Sequence, residues 1–164
     1  MRSERGQSAA EFAMILPIAM ALMLGLFDIG RIVWAADGVA HAAAEAARFA
    51  IVRGGSASNP CPVGPAAGEA TVPAPSASCP FPSPSKQAIV QRALGRAWAV
   101  GGSVRVQVCY GQGCSGTTDV AGVTNARGTP VTVTVSADLG LVASALLNAG
   151  PFTVTGTSTM IVNH

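Results

Sequence analysis

Sixteen consecutive residues without a charge, Phe12-Ala-Met-Ile-Leu-Pro-Ile-Ala-Met-Ala-Leu-Met-Leu-Gly-Leu-Phe27, constrain this chain more than any other feature. At ~1.5 Å per residue the run makes about 24 Å of helix. That falls somewhat short of the ~30 Å hydrocarbon core of a bilayer. Ala9 and Ala10 extend it on one side and Ile29–Ala36 on the other, which places a membrane span at about residues 10–30. Arg31 can reach the far interface, where Trp34 suits the aromatic belt. Arg2 and Arg5 precede the span and favour a cytoplasmic N-terminus, with the remainder of the chain outside.

Two residues do not fit a plain anchor. Pro17 lies within the apolar helix, removes one backbone donor and leaves the Ala13 carbonyl without its partner, a kink that a membrane helix tolerates when neighbours supply a substitute. Glu11 places a carboxylate at the edge of the span, which costs up to a few kcal/mol unless something pairs with it. Read alone, Glu11 could simply reach cytoplasmic water. Gly6 offers a sharper reading. Cleavage after Gly6 would make Gln7 the new amino terminus and Glu11 the fifth residue of the mature chain. The new α-amino cation could then pair with Glu11 of its own or a neighbouring subunit as the helix moves from bilayer into a bundle.

The string Gly6-x4-Glu11-Phe12-Ala13-x3-Pro17, preceding an apolar run, resembles a prepilin-type leader, and specifically the TadE-like minor pseudopilins of the tight-adherence (Tad) pilus system. The resemblance is strongest over residues 5–53. It implies a leader at 1–6 removed by a prepilin peptidase between Gly6 and Gln7, and a use for Glu11 in processing or subunit docking. It also implies a minor pilin or pseudopilin taking part in assembly of an adhesive pilus. Its partners would be other pilin and pseudopilin subunits, the prepilin peptidase, the inner-membrane assembly platform and the lipid bilayer. The location implied is the bacterial inner membrane, single pass, with a periplasmic C-terminal domain and incorporation into a surface pilus. Major pilins usually open with Phe, whereas this mature chain would open with Gln7. That departure speaks against a methylated terminus and against the role of main filament subunit.

Beyond the span the helical pattern continues to about residue 53. Apolar residues recur at Ile29, Val33, Ala36, Ala40, Ala43, Ala44, Ala47 and Ile51, close to the helical period. Asp28/Arg31, Asp37/His41 and Glu45/Arg48 are spaced to pair weakly on the helix surface. Alanine is the strongest helix former, and Gly54-Gly55 supplies a stop. The small residues of this stripe suit both subunit packing and support of the chain's own head domain. Residues 54–85 hold eight of the eleven prolines and read as an irregular loop. The head domain, 86–164, opens with an amphipathic helix at Lys86–Ala99 whose Trp98 is expected to pack in the core. Strands are expected at Ser103–Tyr110, Pro130–Ala137 and Phe152–Val162, with a bulge at Gly156 and an apolar crossover at Leu139–Leu147. The expected class is α+β and pilin-like: a long, partly transmembrane N-terminal helix carrying a small antiparallel sheet.

All four cysteines, Cys61, Cys79, Cys109 and Cys114, follow the apolar run, on the side that would face an oxidising compartment. Their spacing suits disulfides better than a four-cysteine zinc site, so no metal or other cofactor is expected. Bonds Cys61–Cys79 and Cys109–Cys114 are the economical pairing, with other pairings open. A net charge of +2 without a basic run gives no nucleic-acid footprint. The chain has no catalytic motif, metal-spaced cluster or phosphate loop, so an enzyme is not expected. A secreted protein cut near Ala40-His41-Ala42, or a membrane-anchored structural or binding domain, is the alternative; that cleavage site lies far beyond the apolar core.

Overall fold

The computed structural model describes residues 4–58, 61–65, 85–142 and 150–164. Five elements follow in order: α1 (Glu4–Ile51), α2 (Gln87–Ala97), β1 (Ser103–Tyr110), β2 (Pro130–Leu139) and β3 (Phe152–Ile161). The fold is α+β, a long N-terminal helix followed by a three-stranded antiparallel sheet in the order β1-β2-β3. At 48 residues, α1 is about 72 Å long at the standard rise. Its first half stands clear of the rest of the molecule, and its second half packs on the sheet.

The sheet explains why the valine alternation is where it is. Val131, Val133, Val135, Ala137 and Leu139 of β2 are all buried, while Thr132, Thr134 and Ser136 between them face outward and bond across to β3: Thr132 to Thr159 at 2.9 Å, Thr134 to Thr157 at 3.3 Å, Ser136 to Thr155 at 3.3 Å. A pleated strand with one wet and one dry face requires this period of two. Against the dry face lie Ala35, Val39, Ala42, Ala43, Ala46, Ala47 and Ala50 of α1, and Ile89, Ala93 and Ala97 of α2. A stripe made almost wholly of alanine brings the helix axis close to the sheet, so the valines of the strands fill the gap.

The buried stripe of α1 is the expected one only in part, at Ala43 and Ala47. Ile29, Val33, Ala36 and Ala40 are exposed, and the buried positions run through Asp28, Ala35, Val39, Ala42, Ala46 and Ala50. Two glycines account for this phase. A β-carbon at Gly38 would lie 2.7 Å from Val100 Cγ2, and one at Gly156 would lie 2.6 Å from the backbone of Val39 and of Ala40. At Gly156 the helix meets β3, and at Gly38 it meets the connection between α2 and β1. Gly156 is accordingly not a bulge: it pairs in register with Val135 in an unbroken ladder, Pro130 to Leu139 against Ile161 to Phe152.

Other expectations are corrected in the same way. Trp98 follows the last turn of α2 and is 82% exposed. The buried face of α2 is Ile89, Ala93 and Ala97 alone, and one residue further rotates the side chain out by about 100°. β2 continues through Leu139, so the crossover begins later than expected; residues 143–149 lie outside the described residues, as do 59–60 and 66–84 of the proline-rich loop. Gly54 and Gly55 do not adopt the left-handed conformation. Gly54 is buried, and a side chain there would collide with the carbonyls of His164 and Asn125. The chain end, the β1–β2 connection and the end of α1 are tied at this point by Gly55 N–H to Asn125 O at 2.9 Å, Asn163 N–H to Ile51 O at 3.0 Å and Asn125 Nδ2 to Val63 O at 2.9 Å.

Candidate functional site

Gly6, Gln7, Glu11 and Pro17 all lie on α1, which runs without interruption from Glu4 through Pro17 to Ile51. Gln7 and Glu11 are one turn apart on the same face, with Gln7 Nε2 3.5 Å from Glu11 Oε1. Both side chains are exposed. Beyond Glu11 no charge occurs until Asp28, and the large side chains around the helix are uncovered on every side: Phe12, Met14, Ile15, Ile18, Leu22, Met23, Leu26 and Phe27 are each more than half exposed. A helix that is apolar all round and buried in nothing belongs in lipid or in a bundle of like helices. Its length and composition suffice to cross a membrane.

Where this rod meets the head, Asp28 and Arg31 tie the helix to the segment after β2. Among the described residues Asp28 is the buried charged one, 3% exposed. Its Oδ1 accepts the Val142 backbone N–H at 3.1 Å, with Arg31 Nη1 3.8 Å away. Arg31 Nη1 in turn donates to the Gly140 carbonyl at 3.0 Å. A residue pair expected to touch only weakly on the helix surface instead fixes the segment after β2 against the helix. Burial of a carboxylate is tolerated because a backbone donor and a guanidinium both serve it.

Further up, Glu45 bonds Arg92 of α2 at 2.6 Å and lies 3.6 Å from Arg96, rather than pairing chiefly with Arg48. The hydrogen bond from Arg92 holds the Glu45 carboxyl below its usual range, with the charges of Arg92, Arg96 and Arg48 acting the same way against partial desolvation. Asp37 and His41 pair at 3.4 Å. Asp138, at the end of β2, accepts from Thr153 at 2.7 Å, Arg105 at 2.9 Å and Ser103 at 3.2 Å. The Thr153 hydrogen bond first, then that of Ser103 and the Arg105 charge, outweigh desolvation and lower its pKa.

Both carboxylates are depressed, so their contribution to stability is fully present above the unfolded-state value of about 4. It is lost as pH falls through the folded-state values below that. The midpoint of thermal unfolding in detergent is expected to stay level from neutral pH to about 5 and to drop below about 4. Asp138→Asn should flatten part of that acid limb; an unchanged limb in the variant would refute the assignment.

Cys109 and Cys114 are joined across the turn after β1. Cys61 is also disulfide-bonded, and Cys79, its expected partner, lies outside the described residues. Among the described residues no three His, Cys, Asp or Glu side chains converge as a metal site would require. Burial pushes the Tyr110 phenol pKa upward, with the Asp119 charge adding to it. Asp119 also accepts the Tyr110 backbone N–H at 2.8 Å and pairs with Lys86 at 2.7 Å, a structural tie between α2, β1 and the long connection to β2.

The features most open to a partner are thus the uncovered helix and its amino-terminal turns. Residues 6–48 match the family model described as TadE-like protein. The match begins at the glycine of the Gly-x4-Glu string and ends within the last turn of α1, so it covers the helix and not the sheet. No curated protein and no solved structure matches the chain.

Proposed function

We propose that this chain, TadE-like over residues 6–48, is a minor pilin or pseudopilin that enters a Tad-type adhesive pilus after removal of a leader at residues 1–6. The carrying observation is the uncovered apolar rod with one acidic residue, Glu11, at its start and within reach of Gln7 on the same helical face. A lone carboxylate at the edge of the span costs up to a few kcal/mol unless something pairs with it. Release of the Gln7 α-amino group supplies a partner, in the same chain or in an adjacent subunit. The rod then passes from lipid to a bundle of similar rods without stranding a charge. The N-terminus faces the cytoplasm, and the sheet domain lies on the periplasmic side of the inner membrane. The prepilin peptidase, the inner-membrane assembly platform and other pilins are the partners this route requires.

The mature amino terminus tests the proposal directly. Terminal sequencing or intact-mass analysis of the protein from its native host is expected to show a start at Gln7, and Gly6→Leu is expected to retain the leader. A start near Ala42 would indicate an ordinary secretory signal. An intact Met1 would indicate a plain anchor, and either outcome overturns the pilin reading.

A further inference from the structure

We infer that the lower end of the head domain is itself a membrane-contact surface, seated in the lipid headgroup region with Trp98 and Trp34 as its anchors. The inference rests on the bilayer-anchoring part of the proposed function and not on pilus entry.

Helix length sets the depth. With Phe12 at the inner edge, a hydrocarbon core of ~30 Å ends about 20 residues on, near Arg31. Asp28 stands about 24 Å along from Phe12, below that boundary. Yet Asp28 is hydrogen-bonded to Val142 of the head, and Arg31 to Gly140. The segment after β2 therefore reaches the hydrocarbon edge, and the end of the head that carries it cannot stand off in water.

The residues at that end agree with such a position. Arg92 faces Glu45, while Val100 lies against Gly38. Helix α2 therefore runs antiparallel to α1 and points Trp98 towards the membrane. Ala99, Val100 and Leu139 form a groove with Leu26, Phe27 and Trp34, continuous with the span. Phe152 pairs with Leu139 at the same end of the sheet. Trp98 is 82%, Trp34 68% and Phe152 46% exposed. Tryptophan is the residue that favours the headgroup layer, where its ring is half in hydrocarbon and its N–H stays wet. The charges at this end are internally met, Asp28 and Arg31 as above and Asp138 by Arg105, so seating it does not bury a lone charge.

The chain has two tryptophans, so Trp34→Phe leaves Trp98 as the sole reporter and Trp98→Phe leaves Trp34. Both are exposed, and neither change disturbs the core. The full chain is reconstituted in phosphatidylcholine vesicles carrying bromine either near the headgroup or near the acyl end. Trp98 emission is expected to fall about twofold with shallow bromine and much less with deep bromine, as for an interfacial ring. If the protein floats with the vesicles and Trp34 is quenched while Trp98 stays open to aqueous acrylamide, the seat is wrong and the span stands. If Trp98 is shielded from both quenchers only at high protein-to-lipid ratio, a second copy covers it, and the lipid assignment fails. If the protein does not float, the anchoring reading fails together with the inference.

Discussion

Replacing Gly156 with threonine is expected to destabilise the head domain by about 3 kcal/mol or more, although Thr is the better strand residue by up to about 1 kcal/mol. The two effects have opposite signs, and geometry decides between them. Glycine inside a strand normally costs stability, and the neighbours Thr155 and Thr157 show that the sheet accepts Thr on its wet face. Position 156 points the other way. A β-carbon there meets the backbone nitrogen and α-carbon of Ala40 and the carbonyl carbon of Val39 at 2.6–2.7 Å. These are main-chain atoms of a helix, which have no rotamer to move to. The helix would have to lift from β3 along the alanine stripe, loosening Val39, Ala43 and Val154, which are buried. Gly95→Ala is the contrast. It lies inside α2 with nothing within 4 Å of the added carbon, and it should stabilise by about 0.5–1 kcal/mol through helix propensity. Thermal unfolding of the detergent-solubilised chain, followed by circular dichroism, gives both signs. A Gly156→Thr midpoint equal to or above that of the parent would show that helix and sheet are not in the close contact described.

Gly156 and Gly38 show why some of the fold was legible and some was not. The strands could be read because valine alternates with Arg105 and Gln107 in β1 and with Thr132 and Thr134 in β2, and such contrast sets both the period and the face. The helix could be recognised but not its facing. Between residues 35 and 50, alanine occupies both the buried positions 42, 43, 46, 47 and 50 and the exposed positions 36 and 40. A stripe of one residue type against more of the same has a period but no phase. What fixes the phase is distant in sequence: Gly156 at the backbone of Val39 and Ala40, and Val100 at Gly38. Trp98 was misplaced for a related reason. Adjacency to Ala97 in sequence is a quarter-turn away in space, and the wide apolar face read from the sequence narrows to one row. Asp28 could have been singled out by a simple observation: it is the first charge after the apolar run. An acid at that depth has to find a partner in the protein. The family likeness over residues 6–48, in contrast, was legible, because it lies in linear spacing and not in tertiary contact.

Glu11→Ala is expected to leave membrane insertion intact and to lower recovery of the chain in sheared pili at least about tenfold, a change worth ~1.4 kcal/mol or more. Insertion should not suffer, since removing a carboxylate from the edge of a span relieves an unfavourable group. Assembly should suffer, because the amino terminus at Gln7 would then enter a bundle of apolar helices with no anion to meet it. Stranding one partner of a buried pair costs about 3–5 kcal/mol, more than the tenfold effect requires. Glu11→Gln separates charge from shape. It keeps the length and hydrogen-bonding capacity of the side chain, and it could still accept from the terminal amine. If the charge itself is what assembly needs, Glu11→Gln behaves as Glu11→Ala; if a hydrogen bond suffices, it recovers much of the parental level. Terminal sequencing of each variant is needed alongside, so that a failure of leader removal is not mistaken for a failure of docking. Equal recovery of Glu11→Ala and parent in purified pili, with the start at Gln7 in both, would mean that the carboxylate meets cytoplasmic water and plays no part in packing the rods.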